Sequence, residues 1–237
     1  MDNAIVGKLF GHFVCLCVYS RAVTRGSIFL SGAGICRKEQ KAVQMKRGIF
    51  ILTESAILVA AAVALSMITL FRMPLGGSVT PFATLPVIVA GLRHGTKWGI
   101  ATAIVFSFTQ LFLGMANVAA VPVKTVWNMA LCAALDYILA YTFLGFTGAV
   151  ARRFRKPALG LSAGIVITGL GRLACSFLSG VIIWGVYAYD GWNVAVYSLA
   201  YNAAWCVPDT AITLVVCLLL AQVRPLGLFP SAQGVRS

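Results

Sequence analysis

Charged side chains are scarce in this chain. They make up 11% of its 237 residues, and only six are Asp or Glu, whereas a soluble domain carries about a quarter. Histidine is rarer still, with His12 and His94 alone, so no metal motif of the H-E-x-x-H kind can be written. No G-x-S-x-G nucleophile elbow occurs. No G-x-x-x-x-G-K-[ST] phosphate loop occurs either, since G-L-R-H-G-T-K at 91–97 has the wrong spacing. These absences argue against catalysis, leave no cofactor or metal to expect, and assign any ATP hydrolysis to another polypeptide. The seven cysteines show no metal-ligand spacing, and Cys132, Cys175, Cys206 and Cys217 lie inside apolar runs, where a thiol behaves as a small hydrophobe. Neither a disulfide framework nor a zinc site is expected.

What the chain does contain is hydrophobic sequence, 60% by count, which makes it an integral membrane protein. Apolar runs lie at about 48–71, 81–95, 98–116, 125–150, 158–186 and 195–222. All but the second approach the roughly 20 residues of a spanning helix. The second contains Pro81 and Pro86 and is expected to be broken or partly re-entrant, which requires its backbone to be buried in protein. The expected fold is an all-α membrane protein with six transmembrane helices.

The net charge of +13 could signal nucleic acid in a soluble chain. Here it reads as topology. One side receives Lys46, Arg47, Arg93, Lys97, Arg152, Arg153, Arg155, Lys156 and Arg224, and the other only Arg72 and Lys124. The positive-inside rule then puts both termini in the cytoplasm, and no nucleic-acid partner is expected. Residues 1–44 differ from the rest, because F-V-C-L-C-V-Y is too short to span and basic residues follow it. At Met45 the chain restarts as M-K-R-G-I-F-I-L-T-E. The expectation is a non-native or disordered extension over 1–44, with Met45 the initiator of a membrane domain at 45–237.

Ionisable residues within the apolar runs default to facing the bundle interior with a partner or a role. They are Glu54, Asp136, Arg172 and Asp209. Asp136, in the otherwise apolar L-C-A-A-L-D-Y-I-L-A, reads as a ligand contact before a structural partner of Arg172. Arg172 is open between those roles. Glu54 meets the positive end of the first helix. Asp209 follows Pro208, which frees a backbone carbonyl, and substrate or coupling work is the alternative for it. Ala56, Ala60 and Ala64 recur at four-residue spacing, a face that permits close helix contact in lipid. Packing within the bundle and docking of another membrane subunit both fit it.

The stretch from Gly180 to Asn202 gathers Trp184, Tyr187, Tyr189, Trp192, Tyr197 and Tyr201 around Asp190, in a turn placed on the outer side. An interfacial aromatic belt is one account, and an aromatic box for a flat cation the other. Asp190, in the solvated turn, is the weakest ligand candidate there, and Tyr189 and Trp192 read as interface anchors.

The motifs L-T-E-S-A-I-L-V-A-A-A, L-P-V-I-V-A-G-L-R-H-G, A-L-D-Y-I-L-A, G-x-x-x-W-G-x-Y-A-x-x-G-W and Y-S-L-A-Y-N together resemble the thiamine-specific substrate-binding (S) components of energy-coupling factor transporters, bacterial vitamin importers. The resemblance covers nearly all of 48–222. It implies a multi-pass protein of the bacterial plasma membrane that binds thiamine near the outer side without catalysis. It also implies a transmembrane coupling subunit docked on the alanine face and two cytoplasmic ATPases that power reorientation. Residue by residue, it implies Trp184 and Tyr197 as aromatic walls and Ser198 and Asn202 as polar contacts. Gly180 falls at a close-approach position and Tyr137 after the acid. Asp136 stands where the family commonly has glutamate, Arg172 at a lysine position and Ser176 at a histidine position. An outer-loop tryptophan of some members is replaced by P-L-G-G-S-V. The rival expectations are an S component for another vitamin or thiamine precursor, and a solitary proton-coupled secondary transporter.

Overall fold

The computed structural model describes residues 36–74, 77–80 and 82–222, with side chains from Gly48 onward. The expected extension over 1–44 falls largely outside these residues, as do His12, Cys15, Cys17, Pro81 and Arg224. Helix α1 (Cys36–Ser66) contains the apolar stretch Gly48–Ser66. It stops at Ser66 rather than 71, where the Ser66 hydroxyl donates back to the Val63 carbonyl at 2.7 Å. The chain then forms a small antiparallel hairpin, β1 (Phe71–Arg72) with β2 (Ser78–Val79). Its turn uses Gly77 at φ 83°, a conformation glycine adopts without steric cost. The Trp205 indole lies where a Cβ on Gly77 would be, so the hairpin can pack directly onto the last helix.

Helix α2 (Leu85–His94) has ten residues, too few at 1.5 Å each to cross a hydrocarbon core of about 30 Å. Residues Leu85 to Leu92 are all buried. Pro86 falls in its first turn, where the missing N–H is no loss. The segment before it is not helical, and Phe82 has φ 76°, rare for a bulky residue. Such backbone survives at membrane depth only with its polar groups satisfied. Here the Thr80 N–H donates to Asp209 Oδ1 at 3.2 Å, and the Thr84 and Thr213 hydroxyls pair at 3.1 Å.

Gly95, at φ 95°, turns the chain into α3 (Thr96–Leu113), and a short α4 (Met115–Ala119) follows. Helix α5 (Val126–Ala151) is not uniform: Ala133–Leu139 is a π-helix and Phe143–Phe146 a 3-10 turn. Helix α6 (Pro157–Ile182), a 3-10 turn at Gly185–Tyr187 and α7 (Val194–Gln222) complete the described chain. Among the described residues α1, α5, α6 and α7 are long and apolar enough to cross a membrane. With lipid on the outside, hydrophobicity does not drive helices together, and close backbone contact does. Helices α2, α3 and α5 meet in this way at Gly91, Gly99 and Gly145, where a Cβ on Gly99 would strike the Gly91 backbone and the Gly145 carbonyl. Phe112, Leu170, Ile182, Val215 and Leu219 point outward, as a lipid-facing surface requires.

Glu54 makes more specific contacts than a helix dipole would give. Its carboxylate takes Arg93 Nη1 at 2.6 Å and lies 3.0 Å from His94 Nε2, tying α1 to the end of α2. Ala56, Ala60 and Ala64 are exposed along the outer face of α1. Cys132, Cys175, Cys206 and Cys217 are free and buried.

Candidate functional site

A cavity of about 520 Å³ opens between α3, α5, α6, α7 and the hairpin, within the roughly 300–1,000 Å³ of small-molecule sites. Asp136, Tyr137, Arg172, Ser176, Gly180, Trp184, Tyr197, Ser198 and Asn202 all line it. The structure thus brings together side chains from three helices that are far apart in sequence. Asp190 is exposed in its turn and is not among the lining residues.

Asp136 and Tyr137 lie in the π-helical part of α5. A π turn adds a residue per hydrogen-bonded ring and is frequent at functional sites. The Asp136 carboxylate is held from two directions: the Ser179 hydroxyl on α6 donates to Oδ2 at 2.5 Å, and the Cys132 thiol approaches the same oxygen at 3.4 Å. The Tyr137 hydroxyl donates to the Gly114 carbonyl and accepts from Asn117 Nδ2, each at 3.2 Å, and so anchors the α3–α4 corner.

Arg172 does not pair with Asp136. Its Nη1 donates to Asp209 Oδ2 at 2.6 Å, and both side chains are buried. Nη2 donates to the Tyr141 hydroxyl at 3.2 Å. The guanidinium also lies 4.7 Å from the Tyr141 ring centroid and 4.9 Å from that of Trp205, a desolvated cation–π arrangement. Asp209 therefore compensates Arg172 and completes the backbone before α2. It is absent from the lining of the main cavity, and this pairing accounts for its burial without a role in substrate contact.

The aromatic wall comes from the α6–α7 connection. Trp184 stacks on Tyr187 with centroids 6.1 Å apart. Tyr197 receives Tyr189 edge-on at 5.8 Å and lies against Tyr201 at 5.9 Å. Tyr189 and Trp192 are both exposed and pack edge-on at 5.9 Å. Tyr189 thereby buttresses Tyr197 as well as facing the surface, so belt and box share residues. Below the aromatics, Asn202 Nδ2 donates to the carbonyls of Ser176 at 3.1 Å and Ser198 at 2.9 Å, while the Ser198 hydroxyl donates to the Phe177 carbonyl at 2.8 Å. The bonds to Ser176 and Phe177 clamp α7 onto α6. The clamp needs Gly180, since a Cβ there would overlap Ser198 Oγ.

Sequence reasoning missed several lining residues: Gln110, Tyr141, Trp205 and the hairpin residues Arg72 and Met73. Helical spacing could have found some, because Tyr141 follows Tyr137 by four and Trp205 follows Asn202 by three. Gln110 is an amide in an apolar helix, a signal of the same kind as Asp136. The hairpin gave no such signal, since its place over the cavity depends on the chain folding back.

Residues 52–227 match the family described as Thiamine transporter protein (Thia_YuaJ). The thiamine transporter ThiT of Bacillus subtilis is 33% identical over 185 residues, covering 73% of this chain and 91% of that protein. ThiT of Lacticaseibacillus paracasei is 28% identical over 203 residues, covering 81% and 96%. The solved structure of ThiT from Listeria monocytogenes superposes with a TM-score of 0.63 at 23% identity, covering 78% of this chain and all of that one. This last likeness is one of fold.

Proposed function

Because the chain belongs to the thiamine transporter protein family, we propose that it is the thiamine-binding S component of an energy-coupling factor importer. It captures thiamine at the outer face with high affinity and performs no catalysis. The observation that carries this reading is the convergence of one acid, Asp136, with the aromatic side chains of Trp184 and Tyr197 in a single cavity. Thiamine is a flat permanent cation joined to an aminopyrimidine. A cation over an aromatic face gains about 0.5–2 kcal/mol, and an acid in a low-dielectric site adds attraction that a neutral vitamin would not use. Asp136 is the acceptor for the amino group, held for it by Ser179. Arg172, Ser176, Ser198, Asn202, Tyr137 and Gly180 shape the remainder of the site.

In this reading the chain crosses the bacterial plasma membrane six times from 45 to 237, the second crossing made by α2 together with the non-helical backbone before it and the third by α3, with both termini in the cytoplasm. The exposed face of Ala56, Ala60 and Ala64 docks a transmembrane coupling subunit. Two cytoplasmic ATPases bound to that subunit supply the energy that reorients the S component and releases thiamine inward. Titration of the purified protein with thiamine tests the first step. Saturable quenching of tryptophan fluorescence is expected, and binding of the pyrimidine half alone would instead identify a precursor carrier. Uptake that continues without any ATPase partner and collapses with an uncoupler would replace the ATP-driven scheme by proton coupling.

A further inference from the structure

Several donors that line the cavity are committed to the protein itself. Tyr137 gives its hydroxyl proton to Gly114, Ser198 to Phe177, and Asn202 its amide to Ser176 and Ser198. Arg172 spends Nη1 on Asp209 and Nη2 on Tyr141. Among the described residues that line the cavity, two buried side-chain donors have no hydrogen-bond partner: Arg172 Nε, on a guanidinium set between two rings, and Gln110 Nε2. A buried amide left unpaired costs about 1–3 kcal/mol. An apolar residue such as the neighbouring Leu111 or Leu113 would fill the position without that cost.

The place of Gln110 in α3 shows what it faces. Phe106, four residues earlier, packs edge-on against Tyr141 at 5.3 Å. Gly114, four residues later, lies so close to the Tyr137 ring that a Cβ would overlap it. Residues four apart share a helix face, so Gln110 sits between these contacts, opposite the π-helical turn that carries Asp136 and Tyr137. An acceptor and a donor thus both line the cavity.

Building on the thiamine reading, we propose that Gln110 is a substrate-specificity residue: its amide, whose Nε2 is buried without a partner, turns into the cavity and donates to a ring nitrogen of the aminopyrimidine whose amino group donates to Asp136. The ring needs one partner of each kind. Asp136 is an acceptor when ionised, and on its own helix the Tyr137 hydroxyl already donates to Gly114.

The test is a titration of the full-length purified protein with thiamine and with two analogues, each having one pyrimidine nitrogen replaced by C–H. Gln110→Met is expected to weaken thiamine binding about tenfold, with a ligand-free melting temperature equal to or above that of the wild type. One analogue is expected to bind wild type about tenfold more weakly than thiamine does, and Gln110→Met to show no such difference between the two ligands. Gln110→Ala enters the same cycle if the methionine variant does not fold. Wild-type affinity for thiamine in the variant, or an equal loss with both analogues in variant and wild type, overturns the assignment while leaving the thiamine reading intact. Failure of the wild-type protein to bind thiamine at all overturns both.

Discussion

Arg172 Nη1 lies 2.6 Å from Asp209 Oδ2, with 4% and 1% of the two side chains exposed. A buried ion pair contributes little net stability, yet removing one partner strands a charge and costs about 3–5 kcal/mol. Asp209→Asn is therefore expected to lower the melting temperature sharply in detergent, and the double change Arg172→Met, Asp209→Leu to recover much of the loss. Thermal unfolding followed by intrinsic fluorescence measures both. An Asp209→Asn protein that melts with the wild type would show that the pair does not hold α6 to α7.

Trp184 is half-buried in the cavity wall and stacked on Tyr187. Trp184→Ala is expected to remove a desolvated cation–π contact of about 2 kcal/mol, about 30-fold in Kd, with expression unchanged. Calorimetric titration with thiamine provides the number, and undiminished affinity would refute the aromatic box.

Gly180 is the point where α6 comes closest to α7 beside the site. Gly180→Ala places a methyl group on Ser198 Oγ and near Asn202 Nδ2. Overpacking of this kind costs about 1–3 kcal/mol. Both melting temperature and thiamine affinity are expected to fall together, and retention of both would contradict the close contact.

Ala60 lies outside the cavity, exposed on α1. Ala60→Trp is expected to leave thiamine titration unchanged while abolishing uptake in cells that contain the whole importer. Normal uptake by this variant would remove α1 as the docking face.

Much of the site was legible because its residues stand out against an apolar background. Asp136, Arg172, Trp184, Tyr197 and Tyr201 are conspicuous where lipid-facing helices should hold Leu and Val, and they line the cavity, whereas Tyr187, Tyr189 and Trp192 of the same cluster do not. Partner choice was not legible. Whether Arg172 meets Asp136 or Asp209 depends on helix rotation, which a change of one residue in the π segment of α5 resets. The hairpin and the early end of α1 were equally hidden, because the run 48–71 stays apolar beyond Ser66, through Met67 to Phe71. Glu54 showed the same limit, since its contacts with Arg93 and His94 come from the packing of α2 and not from its own helix.

The hydrogen bonds around α2 also bear on how the protein is made. The Thr80 N–H and the Thr84 hydroxyl find Asp209 and Thr213, each 129 positions further along the chain. While the ribosome is still synthesising α5 and α6, these partners do not yet exist, and the non-helical backbone before α2 cannot be satisfied at membrane depth. In the six-span reading, stable insertion of this early segment awaits the last helix. Chains truncated before 194 should hold it outside the hydrocarbon core, where a cysteine-labelling reagent that cannot cross the membrane would reach it.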